Sequence, residues 1–98
     1  MAATPALFYR GSAATSSATL YTASTKAVLT DIVISNTNAN QQYVTMTVDG
    51  VNILPAVPVS ANTVVTIQPK TVMAATKILA GFATSTDVKF HISGVEIS

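Results

Sequence analysis

The chain has 98 residues, of which 49% are hydrophobic and only 9% are charged, and its net charge is +1 at pH 7. This length suits one domain, and the five scattered Lys and Arg residues argue against a phosphate-tracking groove, so we expect no nucleic-acid partner. The absence of cysteine excludes disulfides and thiolate metal sites.

The N-terminal segment MAATPALFYRG lacks the basic and apolar regions of a secretory signal. No apolar run reaches the ~20 residues of a membrane span. We therefore expect a protein that is made in the cytoplasm and has no membrane partner.

Thr, Val and Ile dominate a series of short segments, and their β-branched side chains suit strands. In chain order, the predicted strands are LFYRG (7–11), LYTAS (20–24), TDIVISN (30–36), YVTMTVD (43–49), VNIL (51–54), TVVTIQ (63–68), KILAGFA (77–83) and DVKFHISGVEIS (87–98). Seven or eight short strands at spacings of about 8–12 residues predict an all-β fold, an antiparallel β-sandwich that is Ig-like or jelly-roll.

Alternation of side chains predicts which residues face the core. The inward residues of the two clearest strands are Thr30, Ile32, Ile34, Val44, Met46 and Val48. In the last strand Phe90 and Ile92 alternate in the same way, but Gly94 changes the parity of the residues that follow. A β-bulge at Gly94 would return Val95 and Ile97 to the apolar face, and Gly81 predicts a second bulge or bend.

Turn residues divide these strands. The amide-rich segment 36–42 predicts the loop of a hairpin, and Asp49-Gly50 predicts a tight turn. Pro55 and Pro58 are expected to end the strand that follows, because proline cannot donate a hydrogen bond to a strand ladder.

The first 19 residues are interpreted as an N-terminal arm and linker, and residues 20–98 as the sandwich domain. The segment 12–19 has no periodicity and is rich in Ser, Ala and Thr. Residues 7–10 therefore have two readings: an arm that docks on a neighbouring subunit, or an edge strand of the sandwich.

The candidate chemical groups are few. The four carboxylates, Asp31, Asp49, Asp87 and Glu96, are spread along the chain without metal-ligand spacing, so strand and turn roles are favoured and no metal or cofactor is expected. His91 is the only histidine, and we expect it on the outer face of the last strand, solvated or at an interface. No nucleophile–base pair is evident, so the sequence predicts no enzyme.

Contact with partner proteins is the remaining prediction. Aromatic residues and Arg are enriched at interface anchors, and Tyr43 on a polar strand face is the single plausible contributor to a sugar site. The predicted partner-binding residues are Leu7, Phe8, Tyr9, Arg10, Asn38, Asn40 and Tyr43.

The order of these features resembles small β-sandwich virion proteins of tailed bacteriophages. The resemblance lies in LYTAS-TKAVLTDIVISNTNANQQYVTMTVDGVNI, then TVVTIQP, then the terminal VKFHISGVEIS, and it covers residues 20–98. The chain departs from the pattern at KILAGFATST, where such proteins often carry a GDxI turn.

The resemblance implies a non-enzymatic structural protein of the virion, foremost a capsid decoration or cement protein that binds and stabilises the shell. Its expected partners are the major capsid protein or other virion proteins, and it is expected to form a homo-oligomer, with a trimer among the options. The alternatives are a neck, tail or fibre module, or a receptor- or carbohydrate-binding adhesion module.

Overall fold

A computed structural model describes residues 3–97, and in this range the chain forms nine β-strands and no helix. Met1, Ala2 and Ser98, which belonged to the predicted arm and the predicted last strand, lie outside the described residues. The strands are β1 (Ala3–Ser12), β2 (Ala18–Thr22), β3 (Lys26–Asn36), β4 (Gln42–Val48), β5 (Val51–Val59), β6 (Thr63–Ile67), β7 (Thr71–Met73), β8 (Ile78–Ala83) and β9 (Val88–Ile97).

The strands form two antiparallel sheets. The five-stranded sheet has the order β1-β9-β3-β6, with β7 also paired to β3, and the four-stranded sheet has the order β2-β8-β4-β5. If β6 and β7 are counted as one strand interrupted at 68–70, this is the eight-strand order of a jelly roll. The predicted all-β sandwich is confirmed, and of its two alternatives the strand order matches the jelly roll rather than the Ig fold, whose first two strands share a sheet.

The core lies between the inner faces of the two sheets. Ile32, Ile34, Val44 and Met46 are fully buried, as their alternation predicts. The tight turn between β4 and β5 is also confirmed at Asp49-Gly50, where both residues have positive φ, 54° and 76°. That combination is the one a two-residue hairpin turn requires.

The bulge predicted at Gly94 is instead found in the two neighbouring strands. β9 keeps its alternation through Gly94, whereas the extra residues are Phe8 in β1 and Thr30 in β3. The surroundings of residue 94 are crowded and leave no space for a side chain: a Cβ on Gly94 would lie 2.2 Å from the Val28 carbonyl oxygen and 2.6 Å from the Phe8 ring. Gly94 therefore makes room for Phe8, and Val95 continues on the outer face.

The predicted end of a strand at Pro55 is also wrong. β5 continues to Val59 through Pro55 and Pro58, because β5 is the edge strand of its sheet and has one side without a ladder. Gly81 lies in a regular stretch of β8 beside β4, and the register shift is at Leu20 in the neighbouring β2.

The described N-terminal residues belong to the sandwich. β1 pairs with β9 from Ala3 to Ser12, and Phe8 is buried and stacks on Tyr21, with ring centroids 3.9 Å apart. Residues 3–12 therefore form an edge strand of the sandwich, the second of the two interpretations given for this segment. Residues 13–17 connect β1 to β2, and Ala13 within them is also buried in the core.

Candidate interaction surface

The outer face of the five-stranded sheet carries a row of apolar side chains that crosses four strands. Pro5 of β1 is opposite Val95 of β9, Val95 is opposite Val28 of β3, and Val28 is opposite Val72 of β7. Directly opposed residues point to the same side of a sheet, so these four form one stripe, called here the apolar row. Val72 is 62% exposed, and Leu7, the next outward residue of β1, is 54% exposed.

Beside the apolar row, the same face has a shallow depression of about 470 Å³ that is open to solvent. Its lining includes Ser93 and Gly94 of β9, which have a small side chain and none, respectively. Arg10 on β1 and Asp31 on β3 stand on opposite sides, because β9 lies between those strands. An open depression of this size fits protruding side chains of another protein better than an enclosed small molecule.

A basic cluster borders the depression. Arg10 donates a hydrogen bond from Nε to Nδ1 of His91 at 3.2 Å. Lys89, two residues along β9, donates from Nζ to the Ser12 hydroxyl at 2.7 Å. Arg10 and His91 are exposed, and their free N–H groups are available to an acceptor on a partner.

Asp31 is the only carboxylate on this face among the described residues, and it accepts a hydrogen bond from Gln68 Nε2 at 3.2 Å. Lys26, Arg10 and Lys89 share the face with it. The outer face of the five-stranded sheet therefore has a net positive charge beside an apolar row.

At one end of the sandwich, the amide-rich loop is organised by Asn36, which is 1% exposed. Its Nδ2 lies within hydrogen-bond distance of three carbonyl oxygens, those of Asn40 (3.1 Å), Val59 (3.1 Å) and Ser60 (3.2 Å). Its Oδ1 accepts from the backbone N–H of Asn38 at 2.9 Å. This buried amide joins the loop after β3 to the end of β5.

The rest of the loop is also held by its own amides. The Asn38 side chain accepts from the backbone N–H of Asn40 at 2.8 Å and donates to Asp87 Oδ2 at 2.9 Å. Tyr43 is 44% exposed, and its hydroxyl accepts from Gln41 Nε2 at 3.1 Å. The predicted hairpin is wrong, because β3 and β4 lie in different sheets and do not pair. The segment 36–42 instead connects the two sheets and forms an ordered cap at one end of the sandwich.

The predicted partner-binding residues fall into two separate groups. Leu7 and Arg10 lie on the outer face of the five-stranded sheet, whereas Asn38, Asn40 and Tyr43 lie at the loop end. Phe8 is buried, because the bulge in β1 turns its side chain into the core. Tyr9 is half-buried and packs edge-on against Phe90.

Two features were missed by the sequence reasoning. Asn36 continues the inward parity of Ile32 and Ile34, and an amide at a core position is a signal that could have identified its structural role. Val28 and Val72 come together only because β7 pairs with β3, a contact that no local pattern in either strand indicates.

The remaining carboxylates occupy separate positions. Asp49 is 3.7 Å from Lys77 Nζ at the end opposite to Asp87, and Glu96 accepts a hydrogen bond from the Tyr21 hydroxyl at 2.5 Å. Burial, reinforced by that hydrogen bond and by the charge of Glu96, raises the pKa of Tyr21 to about 12. Within residues 3–97, no three His, Asp or Glu side chains are placed to hold a metal ion.

No known protein family, curated protein or solved structure matches this chain. Within the described range, no helix could cross a membrane.

Proposed function

We propose that this chain is a non-enzymatic structural protein of a bacteriophage particle, a decoration or cement protein that binds the shell through the outer face of the five-stranded sheet. The observation that supports a binding role is that the apolar row lies next to the depression and the Arg10–His91 pair on one sheet face. The assignment to a phage particle is supported by the sequence resemblance. The jelly roll is used by viral capsid proteins, although a fold does not determine a function by itself.

The mechanism is cooperative surface binding. Covering an exposed Val or Leu side chain contributes up to about 1.5–3 kcal/mol when burial is complete, and Val72 and Leu7 retain more than half of their exposure. A complementary partner has an apolar ridge over the row and a carboxylate within reach of Arg10. Repetition of weak contacts over a lattice multiplies the total binding free energy.

A non-enzymatic role is supported by the surroundings of the only histidine. Arg10 occupies the Nδ1 side of His91, where a catalytic triad would place an orienting carboxylate.

The proposal is tested by co-sedimentation of the protein with undecorated shells. Val72→Lys adds a charge and removes an apolar contact in the row, so we expect at least a tenfold weaker shell binding. Val51→Lys is the matched control, because Val51 is equally exposed, 67% against 62%, but lies at the tight turn outside the row. Failure of the wild-type protein to co-sediment, or equal loss in both variants, would contradict the proposal.

Two alternatives give different results. A neck, tail or fibre module would be present at a dozen copies or fewer in a purified particle, by quantitative mass spectrometry, whereas a shell component is present in hundreds. A glycan-binding adhesion module is favoured by the exposed Tyr43 ring beside the Gln41 amide. That alternative predicts glycan-array signals that Tyr43→Ala abolishes.

A further inference from the structure

The four-stranded sheet carries no charged residue in any of its strands β2, β4, β5 and β8, all of which lie in the described part of the chain. Its outer face is a mixture of hydroxyl, amide and apolar groups. Across the four strands, Thr19 is opposite Ala80, Ala80 is opposite Thr47, and Thr47 is opposite Asn52. Phe82 and Thr45 form the next pair on the same face.

The polar groups of this face are complementary to a second copy of themselves. A Thr or Tyr hydroxyl and an Asn amide each donate and accept hydrogen bonds. An identical face can therefore satisfy Thr19, Thr47 and Asn52 without placing two like charges together. The outer face of the five-stranded sheet is less suited to this, because Arg10, Lys26 and Lys89 are donors only and positive, whereas Asp31 is its single carboxylate among the described residues.

The edges of the four-stranded sheet are less suitable for self-association than its face. At β5, Pro55 and Pro58 remove two backbone donors, and Ala56 has a positive φ of 52° that interrupts the extended strand. At the opposite edge, β2 has only 5 residues, with a register shift against β8.

We propose that the protein forms a symmetric homodimer in which the uncharged outer faces of two four-stranded sheets pack against each other. A two-fold arrangement uses the same patch on both copies, which requires a self-complementary surface. Depleted charge together with aromatic side chains, here the half-buried Phe82 and the exposed Tyr43, is typical of interface cores. This inference goes beyond the proposed function and does not rest on it, since shell binding uses the other sheet.

The small size of the face indicates a weak association. Four strands at about 4.8 Å spacing and six residues at about 3.3 Å each span roughly 20 Å by 20 Å. This footprint is below the about 800 Å² per partner of a standard interface. We therefore expect a dimer that is populated at micromolar concentrations or above and dissociates on dilution.

Sedimentation velocity over a concentration series tests the proposal. Thr45 is half-buried near the centre of the face. Thr45→Lys and Thr45→Glu each place like charges within about a Debye length, 10 Å, of each other in the dimer, so each variant should weaken dimerisation at least tenfold. An equimolar mixture of the two should restore it. Thr66→Lys, an exposed position on the other sheet's outer face, is the control and should dimerise like the wild type.

A wild-type protein that stays monomeric up to about 1 mM would overturn the dimer, since that limit corresponds to only about 4 kcal/mol of binding free energy. Failure of the Lys and Glu variants to rescue each other would overturn the symmetric face-to-face arrangement. Loss of shell binding in the Thr45 variants with a monomeric wild type would assign this face to the shell instead. Far-ultraviolet circular dichroism of each variant checks that the fold is retained.

Discussion

Replacing Asn36 by aspartate tests whether one buried amide holds the loop end of the sandwich. Asn36→Asp is nearly isosteric, but it places an oxygen where the Nδ2 group now lies 3.1–3.2 Å from three carbonyl oxygens. A charged carboxylate at this 1% exposed position would keep the Asn38 N–H as a donor but would face three carbonyl oxygens, and such a poorly compensated buried charge costs about 3–5 kcal/mol.

Protonation limits that cost and gives the variant a characteristic pH dependence. Raising the carboxyl pKa from about 3.9 to above 7 costs about 1.4 kcal/mol per unit, or about 4 kcal/mol in total. Because the folded-state pKa is the raised one, the destabilisation grows as pH rises above about 4 and shrinks below it. Near pH 4 only the loss of one donor remains, about 1–2 kcal/mol.

Equilibrium urea unfolding at pH 7 and pH 4, followed by circular dichroism, measures both effects. With a slope of about 1–3 kcal/mol per molar urea, we expect the pH 7 midpoint to fall by at least about 1 M. Asn62→Asp is the control, because Asn62 is exposed and lies in a turn at φ 52°, which Asp tolerates. The reasoning is refuted if Asn36→Asp loses no more stability than the control, or loses the same amount at both pH values.

Two further predictions concern stability. Gly94→Ala should destabilise the fold by about 3 kcal/mol or more in the same urea assay, because the new Cβ would lie 2.2 Å from a backbone carbonyl oxygen. Gly50→Ala is the control: its Cβ has open space, so the variant should lose only about 1–2 kcal/mol of stability from the positive φ of this residue. Equal losses in the two variants would contradict the crowding argument. The raised pKa of Tyr21, about 12, predicts that stability falls between pH 10 and 12, where the unfolded chain releases this proton and the folded chain retains it. Tyr21→Phe should make the fall less steep in urea titrations at those pH values, and an unchanged slope would show that Tyr21 does not contribute.

The local alternation of apolar and polar residues was sufficient to predict the buried faces of the central strands. Ile32 and Ile34 in β3, and Val44 and Met46 in β4, are buried as predicted because both strands have a neighbour on each side and one face on the core. The tight turn after β4 was also predictable from local sequence, because Asp49 and Gly50 themselves favour the backbone conformation of this turn.

The errors share a different cause, which is that they depend on pairs of strands. A bulge is a mismatch between two strands, so the parity change after Gly94 could not show that the extra residues lie in β1 and β3. Proline ends a central strand but is tolerated at an edge, and the edge position of β5 follows from the whole topology. The same dependence explains Phe8, whose inward orientation follows from the bulge and from the space above Gly94.

The arrangement of charge shows how the topology creates surfaces that the linear sequence conceals. Arg10 and His91 are 81 residues apart, yet they are hydrogen-bonded because the jelly roll makes β1 and β9 neighbours. Consecutive strands mostly alternate between the sheets, so the few charged residues are spread along the chain although none lies in a strand of the four-stranded sheet. One sheet face can therefore meet its own copy without repulsion, while the other presents cations beside an apolar row. Two different faces allow a small domain to bind a second copy and a different partner at the same time, and the Val72 and Thr45 variants separate these two contacts.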